Sequence, residues 1–181
     1  AHVCYANSRK YPPANVKKWQ SNGAVSVPLK PNVNNIMRAM ARKYAEKHGY
    51  QAVPYGFFHP EFIGWFRKEL DKPVYSRYDS LVVCAGTPCS CIGMIEGFQG
   101  DHIYLVCTSK VDTCRKKIEQ YGLGGDKRIE YFQGEFDFYD QMSWYKTQFP
   151  VNCFWDKKAM YWLERNVEYP VGKTLFWNLG A

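Results

Sequence analysis

Two apolar runs, Ser80 to Cys84 (SLVVC) and His102 to Cys107 (HIYLVC), constrain the fold more than any other feature of the chain. Neither alternates polar with apolar residues, so neither can lie with one face in water. A strand that is apolar almost throughout needs cover on both faces, the environment of a parallel sheet between helical layers. Between the two runs, Ile92, Met94, Ile95 and Phe98 mark a helix, and Gly100-Asp101 makes the turn into the second strand. Strand, helix and strand over short connections form a parallel crossover unit.

Other segments extend that pattern. A short helix is expected around Asn15 to Gln20, stopped by Asn22-Gly23, then the apolar run Ala24 to Val27. From Asn34, Ile36, Met37, Met40, Ala41 and Tyr44 fall on one helical face, Lys43, Glu46 and Lys47 on the other, and Gly49 ends the helix. Gln51 to Pro54 is a short strand candidate. Pro60 suits a first helical position, with Phe62, Ile63, Phe66 and Leu70 as the next apolar stripe and His59 as its cap. His48 lies at a helix end, where a protonated ring suits the dipole. Asp112 is placed to cap a basic helix over Thr113 to Tyr121, which Gly122 ends. Arg128 to Phe132 and Thr174 to Trp177 read as strands, and Asp140 to Gln148 and Lys157 to Val167 as helices. The expectation is an α/β fold, a mainly parallel sheet with helices on both faces. Residues 1–13, which end in Pro12-Pro13 and give no period, form an arm or lead-in loop, and 14–181 a single α/β domain.

With 46% hydrophobic and 17% aromatic residues, the chain of 181 has ample material for a core and is not disordered. No apolar run reaches the roughly 20 residues of a membrane helix. Ala1 to Lys10 has no secretory pattern, and seven irregularly spaced cysteines do not form a disulfide framework, so a cytoplasmic, reducing setting is expected. Lys and Arg number 24 against 17 Asp and Glu, a net +7 compatible with phosphate-bearing partners or with a merely basic surface.

Ligands of open parallel sheets bind beyond the carboxyl ends of the strands. Strand Ser80 to Cys84 delivers the chain there, and Gly86-Thr87-Pro88-Cys89-Ser90 then enters a helix N-terminus. Backbone N–H groups, the helix dipole and the Thr87 and Ser90 hydroxyls suit an anion. The alternative is an ordinary strand-to-helix turn, since Gly86 is the one glycine and Pro88 removes an amide. A thiol at such a helix start, Cys89 or Cys91, has the position of a nucleophile, or is simply a small core residue. Cys89-Ser90-Cys91 is too tight for a zinc knuckle and only His102 lies near, so no metal is expected. Glu135, Asp137 and Asp140 read as a solvated acidic loop.

The order of elements resembles the pyridoxal-phosphate enzymes of fold type II, the tryptophan-synthase-β fold, nearest the aminocyclopropane-carboxylate deaminase and D-cysteine desulfhydrase branch. Three stretches carry the likeness. Ala41 to Tyr50 with Val53-Pro54-Tyr55-Gly56 and His59-Pro60 looks like the family's helix and following strand end. Leu81 to Ser90 occupies the place of its glycine-rich phosphate loop, keeping Gly86 and Thr87 but with Pro88 and Cys89 for two glycines. Phe154 to Met160 with Thr174 to Gly180 looks like its C-terminal "DPVYxxKAM" and "LFxHTGG" pair.

The resemblance implies pyridoxal phosphate as cofactor, with Gly86, Thr87, Cys89 and Ser90 at its phosphate. A group facing the pyridine nitrogen falls near Thr147 or Gln148, and Trp155 stands where a family tyrosine walls the cleft. The family's cofactor lysine belongs to an N-terminal region with no counterpart here, and Lys30 falls after it. The implied function is a divergent lobe with a phosphate-binding cleft, part of a split amino-acid lyase or deaminase when a lysine-bearing segment or partner completes it. A protein partner or homo-oligomer is therefore expected. Two alternatives stay open: a basic α/β scaffold for nucleotide or nucleic acid, through Arg38, Arg42, Lys43 and Lys47 or Lys110, Arg115, Lys116 and Lys117, and a non-catalytic structural or regulatory subunit.

Overall fold

A computed structural model describes residues 1–6, 13–30, 33–53, 58–86, 88–136, 140–166 and 168–178. The chain forms two compact units, Ala1–Tyr55 and Gly56–Ala181, whereas the sequence reading set its one boundary at residue 13.

In the first unit, β1 (His2–Ala6) leads through α1 (Pro13–Ser21) to β2 (Val25–Leu29), and α2 (Asn34–Lys47) follows. β1 and β2 pair in parallel from His2↔Val25 to Ala6↔Leu29. The expected N-terminal arm is thus a strand in its first part. Five residues are too few to show a period, and their order comes from pairing with a strand more than 20 positions away. Gly23 and Gly49 have φ of +77° and +68°, a left-handed backbone at the ends of α1 and α2 that glycine adopts without cost. His48 caps α2, its Nδ1 2.7 Å from the Tyr44 carbonyl. The stripe of α2 is only partly covered: Met37, Met40, Ala41 and Tyr44 are half-buried and Ile36 is exposed. Residues 51–53 are not a strand, and Pro54 lies outside the described residues.

The second unit holds a four-stranded, wholly parallel sheet in the order β5-β4-β3-β6, from β3 (Ser80–Ala85), β4 (His102–Cys107), β5 (Ile129–Gln133) and β6 (Thr174–Trp177). The fold is α/β, with helices on both faces. On one face Leu81, Val83, Ala85, Ile103, Leu105 and Cys107 bury against α4 (Pro88–Gly97) and α5 (Val111–Gln120), with α3 (Pro60–Leu70) outside α4. On the other, Val82, Cys84, Tyr104 and Val106 meet Ala159 and Trp162 of α6 (Asp156–Arg165). Each of these large aliphatic side chains contributes roughly 1.5–3 kcal/mol by leaving water. α4 is buried almost all round because it is sandwiched: Gly93 and Gly97, one turn apart, let it approach the α3 backbone. His59 caps α3, its Nδ1 accepting from the Glu61 amide at 3.3 Å, and Pro60 opens it.

Two local expectations change. The cap of α5 is Lys110, and Asp112 sits inside its first turn, where its charge still suits the dipole. Residues 140–148 contain no helix. Their Asp, Ser, Trp, Tyr and Thr are weak helix formers, and the segment is pinned from outside. Met142 is buried and its amide bonds Cys153 O at 2.9 Å, while Lys157 Nζ donates to Tyr145 O at 2.5 Å. Among the described residues no helix is long and apolar enough to cross a membrane.

Candidate functional site at the carboxyl edge of the sheet

The connections through α4 and α5 step from β3 to β4 to β5, and the connection through α6 returns past β3 to lay β6 on its other side. The strand order therefore reverses between β3 and β6. At such a reversal the outgoing loops part to opposite faces and leave a crevice beyond the strand ends. Because every strand is parallel, α4, α5 and α6 all start at that edge, and each ends its N–H groups and the positive pole of its dipole there.

The β3–α4 turn is at this place. Gly86 follows β3 directly and is half-buried. Thr87 lies outside the described residues. Cys89, in the first turn of α4, is 1% exposed, with the His59 amide donating toward its sulfur. Its side chain belongs to the core. Burial pushes its thiol pKa up, against a nucleophile's need. The half-buried Ser90 hydroxyl donates to Cys91, which is wholly buried and pushed well above the usual thiol range by desolvation. This turn therefore offers the backbone of a helix start, while the Ser90 hydroxyl is turned to the Cys91 sulfur.

The structure does not bring Thr147 to a ligand as a free hydroxyl. Its Oγ1 donates to Phe149 O at 2.7 Å, closing a local turn. Trp155 is 42% exposed and immediately precedes α6, its carbonyl accepting from the Lys158 amide at 2.9 Å. The two basic helix faces, on α2 and α5, are exposed to solvent, and Arg115 lies over the Tyr131 ring at 5.0 Å.

Four residues that sequence reasoning did not single out stand beside the crevice. Cys84 is near the end of β3, Thr108 just beyond β4, and Asp156 and Lys158 are in the first turn of α6. All are buried, Asp156 and Lys158 to 1% exposure each. The Cys84 thiol registers its neighbours: burial pushes its pKa far up, the Asp156 carboxylate pushes the same way, and Lys158 and the Thr108 hydroxyl pull it down. A buried ammonium and a buried carboxylate are costly to desolvate, and each is kept by compensating neighbours. Asp156 also faces the positive pole of its own helix.

The signal for Lys158 was present in the sequence. It is four residues before the buried Trp162, on the apolar stripe of α6 rather than its polar face. On the opposite sheet face, Cys107 and Cys114 share a hydrogen bond that raises the first thiol's pKa and lowers the second's.

Among the described residues no group of three or more His, Cys, Asp or Glu could hold a metal ion. No family model, no curated protein and no solved structure matches the chain.

Proposed function

We propose that the second unit is a binding lobe for a small phosphorylated ligand, taken in the crevice between the carboxyl ends of β3 and β6. The observation that carries this reading is the reversal of strand order at β3, with the Gly86 turn and the N-termini of α4 and α6 at its mouth. A phosphate dianion suits that edge. Helix amides supply donors, and Gly86 lets the backbone come close.

Pyridoxal phosphate is the ligand we favour within this class, from the likeness of the turn and of the C-terminal segments to fold type II enzymes. When bound, that cofactor supplies an electron sink for carbanion chemistry. The backbone at the start of α4 suits its phosphate, with the Ser90 amide as the donor there, and Trp155 would wall the crevice. Lys158 is enclosed, and the exposed Lys110 stands at the start of α5, beyond β4 rather than at the β3–β6 crevice. Lyase or deaminase chemistry would accordingly await a lysine-bearing segment or partner chain.

The test is an absorbance titration with pyridoxal phosphate, repeated with pyridoxal and with inorganic phosphate as competitor. Saturable binding that phosphate displaces, that pyridoxal does not reproduce, and that Gly86→Asp abolishes is the expected result. Mass spectrometry after borohydride reduction should find no single lysine preferentially modified. Absence of saturable binding, or binding indifferent to Gly86→Asp, overturns the reading.

A further inference from the structure

In the first unit the Val25 amide donates to Ala1 O at 2.8 Å, and this one bond sets the phase of the whole β1–β2 ladder. In a parallel pair each strand turns alternate residues toward its neighbour. Val25, Val27 and Leu29 therefore face β1, and Val3 and Tyr5 face β2. The remaining residues present their N–H and C=O groups to the outer edges: Ser26 and Pro28 on β2, and His2, Cys4 and Ala6 on β1.

The two edges are not equivalent. On β2, Pro28 stands at an outward position and has no N–H to give, the usual block on an edge strand. On β1 the outward residues all carry an N–H as well as a C=O, among the described residues no backbone group bonds them, and the strand HVCYA carries no Lys, Arg, Asp or Glu to repel a neighbour. Among the described residues no further strand pairs with it. Two parallel strands alone are an unusual sheet, and three or more strands are the ordinary requirement for stability.

We infer that the β1 edge pairs with β1 of a second copy of this chain, antiparallel about a twofold axis through Cys4. The occupant follows from the complementarity of the edge to itself. Its three outward residues are evenly spaced about Cys4, so a twofold there sets Cys4 opposite Cys4 and His2 opposite Ala6, each N–H meeting a C=O. Three such pairs exchange about six backbone hydrogen bonds and join the two small sheets into the four-stranded order β2-β1-β1-β2. No like charges meet across the axis. Pro28 then lies on both outer rims and stops further growth, so the assembly closes as a dimer.

The full chain is tested by sedimentation equilibrium together with hydrogen exchange, each over a range of protein concentration. The expected result is a dimer mass, with the Cys4 and Ala6 amides protected at high concentration and exchanging at least tenfold faster on dilution. Cys4→Pro removes the outward donor at the axis and leaves the amides that bond β2 untouched, so it should be monomeric with the Val3 and Tyr5 amides still protected. In a Cys153→Ser background, a short bismaleimide should trap the dimer through Cys4. A monomer with fast exchange at Cys4 and Ala6 overturns the inference. So does a dimer whose Cys4 and Ala6 amides exchange freely, and so does concentration-independent protection in a monomer, which would mean that another part of the chain covers the edge.

Discussion

Gly93→Ala on α4 is expected to lower stability, against the ordinary trend for a helical glycine. Alanine in a helix interior is favoured over glycine by about 1 kcal/mol, so an unobstructed site would gain. At Gly93 an added Cβ would stand 2.2 Å from the Ile63 carbonyl oxygen and 2.7 Å from Phe66 Cβ. A backbone carbonyl in the middle of α3 cannot rotate away, so the two helices must part by roughly 1 Å, on the scale of overpacking that costs about 1–3 kcal/mol. Contact with backbone places the cost at the upper end, leaving a net loss of about 2 kcal/mol. That corresponds to a fall in Tm of about 4–8 °C for a chain of this size.

Gly64 on α3 is the control. Nothing lies within 4 Å of its would-be Cβ, and its φ is not in the left-handed region. Gly64→Ala should therefore raise stability by about 0.5–1 kcal/mol. Both are read from urea unfolding at constant m and from thermal melts. A Gly93→Ala chain as stable as the parent, or more so, would refute the close α3–α4 approach.

Arg128 donates to both Asp126 oxygens and to the Ile95 and Phe98 carbonyls at the end of α4. Its hydrogen bonds hold the Asp126 pKa below the usual carboxylate range, against a smaller opposing effect of burial. That stabilisation is full above the unfolded value near 3.8 and is lost as pH falls through the lower folded value. Asp126→Asn should cost about 1–2 kcal/mol at pH 7 and far less near pH 2; an equal cost at both would refute the coupling. Brief alkylation of the native chain, read by mass spectrometry, should label Cys153 and spare Cys84, Cys89, Cys91, Cys107 and Cys114, all of which are buried. Fast labelling of Cys89 would contradict its place in the core. Asp79 Oδ2 accepts from the Lys173 amide at 2.7 Å, and Gly172 before it has φ of +66° with no room for a Cβ beside that carboxylate. Gly172→Ala should lower Tm by several degrees, and an unchanged Tm would show that the turn into β6 adapts.

Where one property settles the matter locally, the sequence was legible. β3 and β4 could be read because continuous apolarity has few other uses, and the ends of α1, α2 and α5 because Gly23, Gly49 and Gly122 take a positive φ there. Elements made by distant partners could not be read in the same way. β1 exists by pairing with β2 across an intervening helix, and HVCYA alone has too little pattern to announce it. β2 runs on through Pro28 to Leu29, beyond the expected stop at Val27, because the proline's missing N–H falls on the outer edge. Residues 140–148 fail as a helix for the complementary reason. Their Met142 is claimed by the core, and their carbonyls by Lys157, a residue outside the segment.

The candidate site divides along the same line. The place of the Gly86 turn follows from local order, because a central parallel strand must end at the carboxyl edge and a helix start must follow it. The direction of the Cys89 side chain does not, since α3 is the element that claims it, through His59. Lys158 and Asp156 were not singled out, because a charged residue at the start of a helix is ordinarily on its solvated side. On α6 the apolar stripe Ala159, Trp162 and Leu163 fixes which side is inward, and Lys158 falls on that side by its spacing of four from Trp162. A lysine inside an apolar stripe must be held by polar groups from other elements or be excluded from the fold. Here it is retained, at the edge where three helix N-termini converge. Its burial and the position of the crevice therefore have one origin, the return of the chain through α6 to the far side of β3.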